Sequence, residues 1–580
     1  MNKYLKKTFL KDKLLHFCSL WLLTCLLYSC TNYDEINPVQ ENGIWISHKS
    51  GFYKNPLRLE LKSLKAGHKI FYTLDGSEPT INATEYLGPI IIEPNNEKRL
   101  SYIPTTVLKG RWHLDQFIWK EPQSNPFSGK IIRCRAFDGD EPIGDISSQT
   151  YLMDSDMNEK YSFPIISIIT DKDNLFGYDK GIYVPGRLAD SIPWTKKTDG
   201  WWPPGNYQQK GKLWERPAHI EWFEPSGESG FSINAGIRIT GAVIGGFPIK
   251  SLRIVTREKY GKKQITYPVF PDLEVTSFKR LLLRNSGQDF LTTLFRDALL
   301  QSILKPLDME LQASRPSLVF INGEYWGIHN VREKIDKHYI KSHFNLKENE
   351  FDIVEVCGRK NHGDNRAYKQ LKKFIRDNDM TLLENYTHVT NQIDIDNYIN
   401  HLLVELYFGN EDWPANNIKI WKPKSSSGKW RWLIFDLDIS FGYKSLGSNS
   451  KVDFNAIEHA TAVNSTHWSN YGCSTFMLRK LLKNTQFKSL FITRYLELSQ
   501  SIFSPENIIK QIDQFESLYE VEMEEHISRW NYPKSMKYWR SQIEVMRSYA
   551  RNRPKHFKQH LEEYLGVPLN AYEDRESPTH

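Results

Sequence analysis

One stretch limits what this chain can fold into more than any other: Gly409 to Gly442, GNEDWPANNIKIWKPKSSSGKWRWLIFDLDISFG. Ile418 to Trp421 and Trp430 to Phe435 are short apolar runs, and the polar Lys424-Ser-Ser-Ser-Gly-Lys429 between them predicts a hairpin loop. Closing that hairpin brings Asp412, Asn416 and Asn417, which precede the first run, to the same end as Asp436 and Asp438, which follow the second. Crowded carboxylates raise one another's pKa unless a cation neutralises them. The cluster therefore predicts a divalent ion held by oxygen ligands.

The spacing sharpens this reading. Asn417 lies five residues after Asp412, the interval between the base and the metal-binding Asn in the catalytic loop of protein kinases, where a hairpin also leads to a second metal-binding Asp. No His-Arg precedes Asp412 and no Phe-Gly follows Asp436, so a short-motif search misses the match.

The chain has 580 residues, room for two to four domains and a large core. Its 17 Trp and 29 Tyr serve packed cores or the recognition of sugars and surfaces. Lys3, Lys6, Lys7, Lys11 and Lys13 open a targeting segment that continues through the apolar Leu14 to Leu27. That run is short of the about 20 residues a membrane-spanning helix needs. Its end, Leu27-Tyr-Ser-Cys30, resembles a bacterial lipobox, which implies a signal peptide over 1–29, lipid on the Cys30 thiol and a linker over 30–42. An ordinary signal peptide with an incidental Cys is the alternative. Thr31-Asn-Tyr-Asp-Glu35 resembles the export signals of surface lipoproteins, so the expected place is the bacterial cell envelope, with a lipid anchor in the outer membrane.

Without residues 1–29, which carry five Lys and one Asp, the formal charge of +7 falls to about +3. A field that weak gives no argument for nucleic acid as a partner. Besides Cys30, the mature chain keeps Cys134, Cys357 and Cys473, which form neither a disulfide framework nor a zinc site and leave room for one disulfide.

Residues 43–155 read as a small all-β module. Leu57 to Leu61, Lys69 to Leu74, Ile90 to Ile92 and Ile131 to Phe137 are β-rich, and Asp75-Gly76 is a tight-turn signal. Tyr72-Thr-Leu-Asp-Gly-Ser-Glu-Pro-Thr80, Tyr86 and Arg135-Ala-Phe137 resemble the chitobiase C-terminal-like sandwich, with an insertion at 93–128. The resemblance implies a spacer or a weak binding module.

From Tyr161 the pattern changes to a buried strand, Tyr161-Ser-Phe-Pro-Ile-Ile-Ser-Ile-Ile-Thr170. There follow Gly181-Ile-Tyr-Val-Pro-Gly186, Glu215-Arg-Pro217, Phe247-Pro-Ile-Lys-Ser-Leu-Arg253, Leu283-Arg-Asn-Ser-Gly287, Phe295-Arg-Asp-Ala298, Ile321-Asn-Gly-Glu-Tyr-Trp-Gly-Ile328 and Arg332-Glu-Lys-Ile-Asp336. With the 409–442 stretch, this ordered set resembles the CotH kinase family, named for a spore-coat protein with an atypical kinase fold. The resemblance implies an α+β chain: a two-lobed, atypical protein-kinase-like core over 160–450, its C-terminal helical part over 451–570 and a tail over 571–580, preceded by the sandwich. It also implies transfer of the γ-phosphoryl group of ATP to a hydroxyl acceptor, protein Ser or Thr or another hydroxyl, with Mg²⁺ or Mn²⁺. In that reading Asp412 positions or deprotonates the acceptor, Asn417 and Asp436 hold the metal, and Asp438 supports or shares it.

The nucleotide lobe is expected around Gly241, Gly245 and Gly246, between the strand-like Ala235 to Thr240 and Ile249 to Val255. A glycine-bearing hairpin lets backbone N–H groups approach phosphate. Lys250 would steady the phosphates as the kinase strand lysine does, oriented by Arg296 and Asp297 on the helical run Leu291 to Leu304. A second hairpin turning at Asn322-Gly323 would deliver Glu333 to the linker where adenine binds. A loose hairpin, a solvated edge lysine and a helix ion pair are the alternatives.

One departure bears on activity. Relatives carry polar or basic residues, often Ser-Arg, before Phe-Pro, where this chain has Val243-Ile-Gly-Gly246. Loss of a charge-assisted hydrogen bond there, about 1.5 to 3 kcal/mol, implies weaker nucleotide binding. The competing reading is a catalytically weak or inactive kinase-like scaffold that binds glycan or protein at the cell surface. Arg366 to Asp377, Ile393 to Tyr407 and the chain beyond Thr475 have apolar residues at three and four spacing and predict helices packed under the carboxylate cluster.

Overall fold

The computed structural model describes residues 33–94, 125–191, 205–241, 247–445, 448–470 and 472–572. Cys30, the signal segment, residues 95–124 of the insertion and the glycine-loop residues 242–246 lie outside them.

The N-terminal module is built from short strands. Gly51–Tyr53, Glu141–Met153, Lys130–Asp138, Lys69–Thr73 and Thr84–Glu85 form one five-stranded sheet, and Val39–Glu41, Ile44–Ile46 and Leu61–Ser63 form a smaller one. Strand Val39–Glu41 falls in the span expected to be linker, because its register with Ile44–Ile46 draws it into the sheet. Ile44, Ile46, Leu59, Ile70, Ile132 and Tyr151 make the core between the sheets. Asp75-Gly76 does form a tight turn, with Gly76 at a φ of 85°.

The next unit is a closed seven-stranded barrel: Ile165–Ile169, Arg216–Phe223, Ser229–Ile239, Leu252–Val255, Arg280–Arg284, Glu324–Glu333 and Ser314–Ile321, closed by parallel pairing of Ser314–Ile321 with Ile165–Ile169. Alternation explains the apolar runs. Ile166, Ile168, Ile220, Trp222, Leu281, Leu283 and Val331 form the barrel's own core. Ile165, Phe223, Leu318, Phe320 and Ile328 belong to a second core shared with the helices. With both faces covered, the strands read as continuous hydrophobic runs. Asn322-Gly323 turns the expected second hairpin, both residues at positive φ.

The sandwich is docked on the barrel. Ser50 and Thr150 hydroxyls donate to the buried Glu221 carboxylate, Gly129 N–H donates to Gly323 O at 2.8 Å, and the rings of Phe52 and Phe223 meet. Beyond the barrel, Phe351–Glu355 pairs with Lys419–Pro423, which pairs with Arg431–Leu433 in the predicted 409–442 hairpin. Helices Arg366–Asp377, Ile395–Phe408, Gly472–Leu481, Thr485–Gln500, Pro505–Trp530 and Met536–Leu565 complete the second lobe. Among the described residues no helix is long and apolar enough to cross a membrane. Cys357 and Cys473 form a disulfide, and Cys134 is free and buried.

Helix Pro505–Trp530 binds the two lobes together along barrel strand Glu324–Glu333. Ile328 N–H donates to His526 Nδ1 at 2.9 Å, Trp530 Nε1–H to Trp326 O at 2.8 Å, and Arg529 pairs with Glu324 at 2.8 Å. Gly327 permits this approach: a Cβ there would lie 2.7 Å from His526 Nδ1. Burial pushes His526 down to about 3, His401 to about 3 and His329 to about 4. A histidine whose folded pKa lies below its unfolded value of about 6.5 contributes stability that is full above that value and lost as pH falls toward the folded pKa. The free energy of urea unfolding should therefore drop below pH 6.5, and His526→Asn, which keeps an acceptor, should reduce the slope by about 1.4 kcal/mol per pH unit. An unchanged slope would remove His526 from the acid response.

Candidate active site

The loop after helix Ile395–Phe408 is fixed from behind. Buried Arg553 donates to Leu406 O at 2.8 Å and Tyr407 O at 2.9 Å, and also to the carbonyls of Val452 and Phe454. A cation on the last carbonyls of a helix satisfies their hydrogen bonding and opposes the negative end of its dipole. The chain leaves through Gly409 at a φ of 61°. Asp412 N–H then donates to Asn410 Oδ1 at 3.1 Å, Glu411 N–H to Ile439 O at 3.1 Å and Ala415 N–H to Ser469 O at 2.7 Å.

The Asp412 carboxylate is thus presented in a set orientation. Asn416 Nδ2 donates to one oxygen at 2.7 Å and Asn417 Nδ2 to the other at 2.8 Å. Burial, and then the charge of Asp436, push Asp412 up to about 6 against those two hydrogen bonds. Behind it, the buried Glu405 accepts from Asn410 Nδ2 at 2.8 Å through one oxygen, while its other oxygen has no hydrogen-bond partner among the described residues. Burial pushes Glu405 up to about 8, and Asp412, Asp297 and Asp436 add to the effect.

Asp436 and Asp438 meet one cation, Arg284, at the end of barrel strand Arg280–Arg284. Its guanidinium is hydrogen-bonded to Asp436 and lies 3.3 Å from Asp438. Asp438 also accepts Gln288 N–H at 2.7 Å. Gly287 makes that possible, since a Cβ there would sit 2.0 Å from Asp438 Oδ2. Burial, then Asp436, raise the Asp438 pKa, with Arg284 opposing. Burial acts against the Arg284 charge, but Asp436, Asp438 and Asp297 outweigh it and raise its pKa. Asp297, on helix Arg296–Ile303, pairs with Arg332 at 2.6 Å and accepts Leu437 N–H at 2.9 Å, locking the backbone between the two carboxylates.

The structure thus brings Asp412, Asn417, Asp436 and Asp438 together and leaves the expected nucleotide residues elsewhere. Lys250 is buried among apolar neighbours, donates to Phe247 O at 2.7 Å and lies 5.1 Å from the ring centres of Tyr183 and Tyr207. Burial pushes it down to about 7. Arg296 pairs with Asp289 and Asp297 with Arg332, so neither orients Lys250. The reason is topological: Lys250 precedes strand Leu252–Val255 and turns inward, toward Tyr183 and Tyr207. Gly241 is exposed at a φ of 95°, at the edge of the undescribed loop. Glu333 ends the barrel strand that leads to the second lobe, but its carboxylate accepts from Ala313 N–H at 3.3 Å and contacts His343 Nε2 at 2.7 Å.

Arg284 is the residue that sequence reasoning missed. It was visible within Leu283-Arg-Asn-Ser-Gly287, as the charged end of an apolar strand before a turn and a helix. Only the chain order marks it: glycine hairpin, next barrel strand, then helix Arg296–Ile303.

The family model described as CotH kinase protein matches residues 237–557, more than half of the chain. The chain belongs to the CotH kinase family. The sandwich, likened above to the chitobiase C-terminal-like domain, is matched over residues 59–151 by a model described as Fn3 associated. Among solved structures, the Helicobacter pylori proinflammatory kinase CtkA is similar at 10% identity over 50% of this chain and 90% of its own, with a TM-score of 0.26. No curated protein matches the chain significantly.

Kinases of this kind use a divalent ion, and the residues present fit one of a particular sort. The donors are all oxygens, which suit Mg²⁺ or Mn²⁺. Asp412 is raised by burial and then by the charge of Asp436, so a cation between the two would favour their charged forms. Among the described residues no three His, Cys, Asp or Glu side chains form a ready-made metal cluster. That combination matches an ion held by one or two carboxylates and completed by substrate phosphates. Arg284→Ala in this CotH-family chain should cost about 3 kcal/mol in urea unfolding, because it leaves the buried Asp438 carboxylate without its cation. Millimolar Mn²⁺ should restore more stability to the variant than it adds to the wild type, and equal gains would argue against an ion at Asp436.

Proposed function

We propose that the chain is a phosphotransferase that moves the γ-phosphoryl group of ATP to a hydroxyl acceptor, a protein serine or threonine. The observation that carries the reading is one juxtaposition: Asp412, held by Asn416 and Asn417, faces Asp436, held by Arg284 from the opposite lobe.

In this reading Asp412, ionised, orients the acceptor hydroxyl and takes its proton as the oxygen bonds to phosphorus. The two asparagine amides keep both carboxylate oxygens in place, so no reorientation is needed as the reaction proceeds. Asn417 uses its amide nitrogen on Asp412, which leaves its carbonyl oxygen, with Asp436, to hold Mg²⁺ or Mn²⁺; Asp438 backs Asp436 through their shared Arg284. The bound ion would supply neutralisation of the charge on the donor's phosphate oxygens. Arg284, on the strand that follows the glycine hairpin, stands where kinases carry the strand lysine, and Asp297 on the next helix stands where they carry its carboxylate partner. The cation assigned to the phosphates is therefore Arg284 in place of Lys250.

The same reading puts the chain in the bacterial envelope, lipidated on Cys30 and anchored in the outer membrane. The Cys357–Cys473 disulfide supports export, since such bonds persist in oxidising compartments.

The test is the purified chain with γ-labelled ATP and Mg²⁺ or Mn²⁺, beside Asp412→Ala and Asp436→Ala. Label should appear on the protein or on a generic acceptor and fall at least about 100-fold in each folded variant. No label, together with no metal-dependent nucleotide binding by calorimetry, would sink the reading and leave a kinase-like scaffold.

A further inference from the structure

Glu405 is a buried acid on the last turn of helix Ile395–Phe408, and the phosphoryl-transfer mechanism gives it no task. Its connection to the site runs through Asn410, which is 1% exposed and uses every polar atom it has. Asn410 N–H donates to Glu405 O at 3.1 Å, and Asn410 Nδ2 donates to the Glu405 carboxyl at 2.8 Å. Asn410 Oδ1 accepts Asp412 N–H at 3.1 Å, and its backbone O accepts Trp413 N–H at 3.3 Å. The amide thus bridges the end of the helix and the residue that carries the base. The other ties of this loop, Glu411 N–H to Ile439 O and Ala415 N–H to Ser469 O, fix its backbone on either side of Asp412 and do not touch Asp412 itself.

Glu405 is the acceptor on which the bridge hangs. Among the described residues nothing else takes the Asn410 amide nitrogen, so without that acceptor the side chain is free to turn and give up Asp412 N–H as well. The charge state fits the role. Glu405 receives one hydrogen bond, its second oxygen has no partner among the described residues, and the charges that act on it most are Asp412, Asp297 and Asp436. A carboxylate there would be neither solvated nor paired, whereas a neutral carboxyl still offers its carbonyl oxygen as an acceptor. Burial first, and then those three carboxylates, push Glu405 up to about 8, so it adds no negative charge behind Asp412 at neutral pH.

We propose that Glu405 is a positioning residue for Asp412: its carboxyl holds the Asn410 amide, and that amide holds the backbone N–H of Asp412, which aims the base at the acceptor hydroxyl. The aiming of a base rests on the phosphotransferase reading; the hold on the loop does not.

Two readouts on the full chain test this. With γ-labelled ATP, Glu405→Leu should lower kcat at least about tenfold and leave the KM for ATP within about twofold, because a misplaced base costs turnover and leaves donor binding alone. Glu405→Gln, which presents the same carbonyl oxygen to Asn410, should restore most of kcat. The second readout needs no catalysis: fluorine NMR of chain labelled with fluorinated tryptophan, the Trp413 resonance being identified by its loss in Trp413→Phe. Trp413 follows Asp412 and is buried, and its resonance should move or broaden in Glu405→Leu and return to its wild-type position in Glu405→Gln. Wild-type kcat or an unmoved Trp413 resonance in folded Glu405→Leu would overturn the proposal, and so would a Glu405→Gln variant as impaired as Glu405→Leu. If Glu405→Leu does not fold, Asn410→Ala takes its place, since it breaks the same bridge from the other side and should give the same two changes. Absence of label transfer by the wild type would sink the phosphotransferase reading, and the Trp413 resonance would then decide the hold on the loop by itself.

Discussion

Arg284 is the interaction on which the arrangement depends. It ends a strand of the barrel, yet its charge is balanced by Asp436 and Asp438 of the second lobe. A buried ion pair gains little net stability over apolar packing, but breaking one is expensive, because the survivor cannot return to water. Here that asymmetry fixes geometry. The barrel cannot shift against the helical lobe without stranding either a guanidinium or two carboxylates. Gln288, on the turn after Arg284, extends the same lock to the backbone by donating its N–H to Asp438, an approach for which Gly287 leaves room.

The remaining scaffold holds the other side of the site just as firmly. Helix Ile395–Phe408 is buried over residues 397–408, and Arg553 from the last long helix caps its carbonyl end. Asp412 follows within one turn of that cap. A carboxylate raised by burial and by a like charge is thus carried on a rigid element, which is where positional precision is easiest to keep. The sandwich takes no part in this. Its contacts include barrel strands Ile165–Ile169, Arg216–Phe223 and Ser314–Ile321, the Asn322 to Tyr325 turn and helix Pro505–Trp530.

The 409–442 hairpin was legible because it is local. Two apolar runs and a polar turn admit one closure, and closure alone sets Asn417 near Asp436. The Asn322-Gly323 turn was legible for the same reason, since both residues accept positive φ. Lys250 was misplaced because sequence shows that a lysine lies near a glycine hairpin and does not show which way it turns. In the barrel that side chain points toward Tyr183 and Tyr207. Arg284 was hidden for the converse reason: its partners lie 152 and 154 positions further along the chain.

By itself, the sequence determined the local geometry of the carboxylate hairpin, the alternation that buries both faces of the barrel strands, and the periodicity of the helices. These follow from the spacing of residue types along a few turns of backbone. Only the tertiary structure decided which cation meets the carboxylates, that Glu333 turns its carboxylate to Ala313 and His343, and that Lys250 is buried against Tyr183 and Tyr207. Those outcomes depend on how the barrel closes and how the two lobes pack, and electrostatic partners chosen by packing across long loops leave no periodic trace in the chain.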